Sequence, residues 1–377
     1  MTVEIREVRT KADKLDFLHV PFPLYRHDPH WVAPLFLERL DHLNTAKNPY
    51  FKHAEAQLFT AWRNGTAVGR ISAQADTLRQ QRYKDGLGQF GFFDCEDNQE
   101  TADALFSAAS TWLKARSFTG LQGPYSFSIN DEMGLLIKGF DTSPSMMMGH
   151  GQPHYAGLMD SAGFHKAKDV IAYRTDDAGQ LPPLLLKVYR RAMLRGDIKL
   201  RPLDKSRIDS EIAIIMDIFN DAWSENWGFV PFTPEELKKL GQDMKMMVAG
   251  GFIVIAEYKG VPSAMAVTLP NLNDWIKGFD GKILPFNWAK LLPRIIAKKP
   301  RSIRMPLMGV RKKLQSSLIG SVLAVAVIEH IRTYHIARGV KECEMSWILE
   351  DNLGMRHIIE ELGAEPYKTY RIYEKAI

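Results

Sequence analysis

The chain carries the same pair of anchors twice, and this repetition limits what it can fold into. Strand-forming residues at 57–62, the turn Asn64-Gly65 and a second run at 67–71 read as a β-hairpin. Residues 252–256, the turn Lys259-Gly260 and residues 263–267 read the same way. The second anchor is a short helix ending in glycine and followed by a strand: 155–162, Gly163 and 170–173 in the first half, 355–362, Gly363 and 370–373 in the second. Gly65 and Gly260 are 195 residues apart, and Gly163 and Gly363 are 200 apart. Near-equal offsets predict two copies of one domain; chance pairing of glycine-marked turns is the alternative. Each half orders as strand, helices, hairpin, strand, helix, strand, helix, strand. The expected fold class is α/β (mixed α+β), two tandem domains, each a mixed twisted sheet flanked by helices. The expected domains are 1–178 and 197–377, with 179–196 as linker, because Asp176-Asp177-Ala178-Gly179 and Pro182-Pro183 break the pattern.

A length of 377 residues suits two cores, and 45% hydrophobic with 25% charged residues is a globular composition. Cys95 and Cys343 are the two cysteines, which points to a reducing, cytoplasmic setting without a disulfide framework. No Cys/His spacing suits zinc, and His27 and His30 bracket a turn, so no metal is expected. The start reads as a strand and not as a signal peptide. The apolar run 318–328 falls short of the roughly 20 residues that span a bilayer. The net charge of +5 is uneven: 282–313 holds ten Lys/Arg and no acid, leaving −5 for the rest. Such a patch predicts an anionic partner there. Nucleic acid is not expected, since no aromatic platform interleaves the basic residues over more than one segment.

The halves differ chemically. Strand 89–93 leads into Asp94-Cys95-Glu96-Asp97 and a helix over 100–115, where three acids would repel a diphosphate and Asp97 or Asn98 would cap the helix. Strand 302–310 leads instead into Arg311-Lys312-Lys313 and Gln315-Ser316-Ser317-Leu318-Ile319-Gly320-Ser321, then a long apolar helix. Backbone amides feeding a helix N-terminus suit a diphosphate. A solvated basic loop before a core helix is the plain alternative. The order resembles the C-terminal half of GNAT acyltransferases, whose acyl-CoA diphosphate lies on a Gln/Arg-x-x-Gly-x-Gly/Ala loop. Gln315 and Gly320 match; Leu318 replaces the first glycine. The resemblance implies an acyl-CoA (or acetyl-CoA) co-substrate on 309–321 of the second half, with the amide of Gly309 or Val310 as oxyanion donor. It also implies a role for Asn352, while Ile359 stands where such enzymes carry a tyrosine that protonates the thiolate. The first half has Met159 there.

Acyl transfer to an amine needs a proton acceptor, an oxyanion donor and alignment. Glu344 and Glu350 bracket strand 343–348; Glu350, nearer its C-terminal end, is the candidate base, or else a plain surface glutamate. Asn220, Trp223, Asn226 and Trp227 cluster at the end of helix 209–222, either as walls of an acceptor pocket or as core tryptophans. Tyr125 and Ser126, in a turn-rich stretch with two acids, are expected at a pocket rim.

Longer segments narrow the resemblance to the bacterial ceramide synthase-like family of tandem-GNAT proteins. They are Phe22-Pro23-Leu24-Tyr25-Arg26-His27-Asp28-Pro29-His30-Trp31-Val32-Ala33-Pro34-Leu35, Val68-Gly69-Arg70-Ile71, Phe90-Gly91-Phe92-Phe93, Gly123-Pro124-Tyr125-Ser126-Phe127-Ser128, Ala222-Trp223 with Asn226-Trp227-Gly228-Phe229, and Ser346-Trp347-Ile348-Leu349-Glu350-Asp351-Asn352. The family implies N-acylation of a long-chain amino alcohol, or its 3-keto precursor, giving a ceramide-type lipid. A GNAT acting on a small polar amine and a non-catalytic lipid or CoA binder remain as alternatives. Segment 282–304 mixes Trp, Phe and Leu with Lys and Arg. It reads either as a surface resting on an anionic membrane at its inner face or as an insertion packing on its own sheet, with Pro285 and Pro293 limiting any helix.

Overall fold

The computed structural model describes residues 2–176 and 181–377. Contacts divide the chain into two compact units, one of Met1–Ile171, Ile276–Asn287 and Lys368–Ile377, the other of Ala172–Trp275 and Trp288–Tyr367. Units and halves therefore interleave: the last ten residues count with the first unit, and 172–176 with the second. Residues 177–180, the end of the expected first domain and the start of the expected linker, lie outside the described residues. Pro183–Met193 is a helix, opened by prolines at its first turn.

In the first unit β1 (Glu4–Glu7), β2 (Ala54–Arg63), β3 (Thr66–Asp76), β4 (Leu87–Cys95) and β5 (Gly120–Gly123) lie side by side in chain order. β4 and β5 are parallel and the earlier neighbours antiparallel. β6 (Leu135–Lys138) and β7 (His165–Asp176) follow in the chain. In the second unit β8 (Ile198–Pro202), β9 (Ile253–Tyr258), β10 (Val261–Pro270) and β11 (Ser302–Val310) are antiparallel neighbours, and β12 (Glu342–Leu349) joins β11 in parallel. Four antiparallel strands closing on a parallel fifth are thus built twice. The C-terminal strand β13 (Glu365–Ala376) pairs in the first unit with β5 and β6, Tyr373 opposing Gly123 and Arg371 opposing Leu135.

Both hairpins turn as the sequence predicts. Asn64 and Gly65 have φ of 53° and 75°, and Lys259 and Gly260 have 51° and 78°, the two positive values a type I′ turn needs. Helix α1 (Gln99–Lys114) starts at Asn98, whose side chain accepts from the Thr101 amide, and buries Leu105, Phe106 and Leu113. In the second unit five helices matter: α2 (Pro183–Met193), α3 (Ile208–Trp223), α4 (Asn287–Ala297), α5 (Leu318–Ile336) and α6 (Leu353–Glu361). α5 is apolar almost all round and buries Val322 to Ile328 in an unbroken run, as a helix does when covered on more than one side.

Candidate active site

β11 and β12 pair only from Ser302–Met305 against Glu342–Met345. Beyond that rung they part. At the same level the register against β10 slips: Val267 opposes Leu307 and Leu269 opposes Arg304, so Met305 and Pro306 together face Thr268. Such a bulge bends its strand and ends regular pairing. The Arg311 amide donates to the Ser263 carbonyl at 2.8 Å, which marks that opposed pair as hydrogen-bonded. Bonded and non-bonded pairs alternate in an antiparallel ladder. Gly309, opposite Met265, therefore turns its amide toward β10, whereas Met308 and Val310 turn theirs toward the unpaired edge. Gly309 serves packing instead, since a Cβ there would sit 3.2 Å from that of Ala222 on α3.

Two carbonyls on this open edge are held by side chains. Trp223 donates to the Met308 carbonyl at 3.2 Å and Gln315 to that of Val310 at 2.9 Å. The Gln315 amide group is thus held on backbone, reaching the Ala222 carbonyl as well. Two of the three cations of 311–313 have acidic partners. Arg311 pairs with Asp217 and Lys312 with Glu225, while Asp221 accepts from the Lys312 amide at 2.7 Å. Asp217 and Asp221 stand one helical turn apart on one face of α3, and Glu225 lies just past its end. Lys313 remains exposed.

Residues 312–315 form a single helical turn. Ser317 caps α5, accepting from the Gly320 amide at 3.1 Å and donating to the Leu314 carbonyl at 2.7 Å. The amides of Leu318 and Ile319 belong to the first turn, where no intrahelical acceptor exists. Leu318 is 74% exposed, so its side chain points away from the fold. Ser316 and Ser321 are exposed as well.

Below the gap Arg304 and Glu344 oppose each other and are buried, 3.4 Å apart. Ser346 donates to Glu344 at 2.6 Å and accepts from Arg304 at 2.9 Å, and Tyr367 also donates to Glu344. The Arg304 guanidinium lies 4.4 Å from the Trp347 ring centre. Two polar atoms nearby are buried without a hydrogen-bond partner among the described residues, Trp347 Nε1 and Asn220 Oδ1. Such atoms cost free energy unless something else completes them.

Glu350 lies in the turn after β12, its carbonyl accepting from Arg356 at 2.8 Å. Asn352 caps α6 through the Met355 amide at 3.1 Å. Ile359 is buried, so α6 offers no acid there. A phenol reaches α6 from elsewhere: Tyr173, at the end of β7, donates to Glu360 at 2.7 Å and accepts from Arg356 at 3.0 Å. Burial and the Glu360 bond raise its pKa, which keeps the proton on. Sequence spacing could not have found Tyr173, because it belongs to the first half of the chain. Asn226 and Trp227 follow α3 in a tight turn, the Asn226 amide bonding the Trp223 carbonyl at 2.8 Å.

In the first unit the corresponding strands also pair over a short stretch, but side chains and backbone of the unit fill what lies beyond it, the Cys95 amide donating to the Tyr155 hydroxyl at 3.1 Å. β4 and β5 pair from Leu87 to Gln89, and the Tyr125 amide then donates to the Phe90 carbonyl at 2.7 Å. The backbone of Tyr125 crosses so close to Gly91 that a Cβ there would meet its carbonyl oxygen at 1.6 Å. Tyr125 is 1% exposed with its hydroxyl on Gln122, and Ser126 is buried with its carbonyl bound by His42. Neither forms an open rim, which corrects that expectation. Among the described residues no group of three or more His, Cys, Asp or Glu is placed to hold a metal ion.

No protein-family model matches the chain. It is 44% identical over 372 residues to "Bacterial ceramide synthase" of Caulobacter vibrioides, covering 98% of this chain and 96% of that one. It is also 44% identical over 376 residues to "Protein YghO" of Escherichia coli, covering 99% and 95%. Among solved structures, a tandem GNAT protein from the clavulanic acid biosynthesis pathway superposes with a TM-score of 0.58 at 12% identity, covering 99% of this chain and 98% of that one. A GCN5-related N-acetyltransferase from Sphaerobacter thermophilus gives 0.55 at 12%, covering 99% and 95%.

Proposed function

Because the chain belongs to the bacterial ceramide synthase-like family of tandem-GNAT acyltransferases, we propose that it moves a fatty acyl group from acyl-CoA to the amine of a long-chain amino alcohol or its 3-keto precursor. One observation carries this reading: β11 and β12 part beside a bulge, and the amides of Met308 and Val310 face the gap. In this reading the carrier's diphosphate rests on the first-turn amides of α5, Leu318 and Ile319, with Lys313 beside them. Its arm lies along the open edge of β11, and an edge amide meets the thioester oxygen as charge develops. The neutral amine adds to the carbonyl carbon, the C–S bond breaks, and the thiolate leaves with the electron pair. Glu350 takes the amine proton. Asn220 and Trp347 supply the acceptor and donor that a substrate would complete. The thiolate, whose thiol has a pKa of about 8.5, leaves without a tyrosine on α6.

Two further parts belong to the same reading. The first unit holds no carrier, since Tyr125 fills the place of the gap. The exposed helix α4 rests on an anionic membrane and brings the enzyme to its lipid substrates. The deciding experiment incubates the protein with palmitoyl-CoA and either sphinganine or 3-ketosphinganine, following free thiol and the N-acyl product by mass spectrometry. Stoichiometric thiol and amide are expected. Acetylation of small polar amines, with none of sphinganine or its 3-keto form, would replace this reading with the polar-amine one.

A further inference from the structure

Below the gap the sheet is closed by the rungs from Ser302↔Glu342 to Met305↔Met345. A chain that enters the gap and is longer than it must leave through one face of the sheet. Side chains alternate along a strand, so Arg304 and Glu344 occupy one face and Ile303, Met305, Cys343 and Met345 the other. The first face is filled by the buried Arg304–Glu344 pair with Ser346 and Tyr367. The second carries a cavity of about 50 Å³, lined by Ile303, Met305, Ile331, Val340, Met345 and Leu362 among others. By its size it admits roughly three or four water-sized groups. Its wall is continuous with the cluster of Leu181, Val325, Ile328 and Leu362, against which Met308 packs. The residue whose amide faces the gap thus shares apolar surroundings with the cavity.

We propose that this cavity takes the acyl chain of the thioester beyond its carbonyl. The assignment rests on the acyl-transfer reading for its ligand. The contrast between the faces carries it: an alkyl chain gains nothing against a saturated ion pair, whereas the other side offers it a mostly apolar wall that Thr175, Arg332, His335 and Glu342 only complete. Each methylene taken from water is worth about fourfold in affinity, so three or four give about a hundredfold. The cavity then sets the enzyme against acetyl-CoA and toward longer thioesters.

The test fills the cavity with Ile331→Phe and, more gently, Cys343→Leu; the second carries the experiment if the first fails to fold. Calorimetry measures binding of free CoA, acetyl-CoA, octanoyl-CoA and palmitoyl-CoA, with turnover followed in parallel. The unaltered protein should bind the two longer thioesters about a hundredfold more tightly than acetyl-CoA. The variants should lose about tenfold or more of that advantage and keep free CoA and acetyl-CoA within about twofold. Unchanged long-chain affinity in a filled cavity overturns the proposal, as does an equal loss for every ligand including free CoA. Length-dependent binding without transfer to any amine sinks the acyl-transfer reading and leaves the cavity assignment standing. No binding of any thioester sinks both.

Discussion

Gly320 has no side chain because a Cβ there would lie 2.0 Å from the Leu314 carbonyl oxygen. That contact presses the turn 312–315 against the start of α5 and shapes the amide cluster. Gly320→Ala must push this turn outward, at a cost of about 1–3 kcal/mol typical of overpacking. We expect CoA affinity to fall about tenfold or more in calorimetry. Leu318 stands where GNAT loops carry a glycine, yet its side chain is exposed and does not cover the amides. Leu318→Gly should therefore leave CoA affinity within about threefold; a gain of a hundredfold would show that the leucine obstructs the site. Glu350→Gln should lower kcat by about a hundredfold or more with little change in KM for acyl-CoA, if the carboxylate takes the amine proton. Gln315 and Gly320 were legible in the sequence as a worn motif, although the structure holds the Gln315 side chain on backbone. The Val310 amide entered only as one of two choices that the resemblance implied, beside Gly309, and that of Met308 was not legible. A backbone N–H has no letter of its own, and which one faces the gap depends on a register that only the folded ladder sets.

At the scale of elements, α5 carries a histidine that ties the fold to pH. His335 is 2% exposed, and its Nε2 lies 2.8 Å from Thr268 Oγ1. That hydroxyl donates to the Phe252 carbonyl at 2.6 Å, so the ring must donate through Nε2. Nδ1 is then the unprotonated nitrogen, and it has no partner among the described residues. A second proton would enter a buried site with no acceptor, and burial, with Arg338 adding to it, depresses the pKa to about 3. The unfolded chain binds this proton below its ordinary value of about 6.5 and the folded chain does not. Stability is thus unaffected by His335 above that value and is lost as pH falls toward 3, at up to about 1.4 kcal/mol per pH unit. Urea midpoints from pH 7 to 4 should fall more steeply for the unaltered protein than for His335→Gln. Parallel slopes would mean that the ring protonates in place. The strand–loop–helix order around α5 was legible because period and length are local signals: β11 spans Ser302–Val310 as expected. The helix Pro183–Met193 was not, since its two prolines read as a break when they mark a first turn. The helix through Pro293 likewise overrode its local cue.

For the whole molecule, charge is the property that residues and elements do not reveal singly. Ten positive charges fall within 282–313 on a chain of net +5. The helix at the centre of that window, α4, buries none of its residues. Trp288, Leu292 and Ile296 recur every fourth residue and are 50%, 48% and 70% exposed, and Leu284 and Phe286 just before them are more exposed still. A helix that packs on its own protein buries this stripe; this one presents it with Lys290, with Lys299 just past its end, and without an acid. Among the described residues no helix is long and apolar enough to cross a membrane. Apolar residues entering the interface and lysines meeting anionic headgroups, at about 1 kcal/mol each, reinforce one another. Cosedimentation should therefore retain the protein on phosphatidylglycerol vesicles and release it from phosphatidylcholine. Raising salt from about 0.1 M to 1 M shortens the screening length from about 10 Å to 3 Å and should weaken the bound fraction severalfold. Trp288→Ala with Leu292→Ala should reduce binding about tenfold while acyl transfer to detergent-dissolved sphinganine is kept. Equal retention on both lipids, or the same loss of transfer in detergent as on vesicles, would return α4 to the role of an insertion whose lysines simply face water.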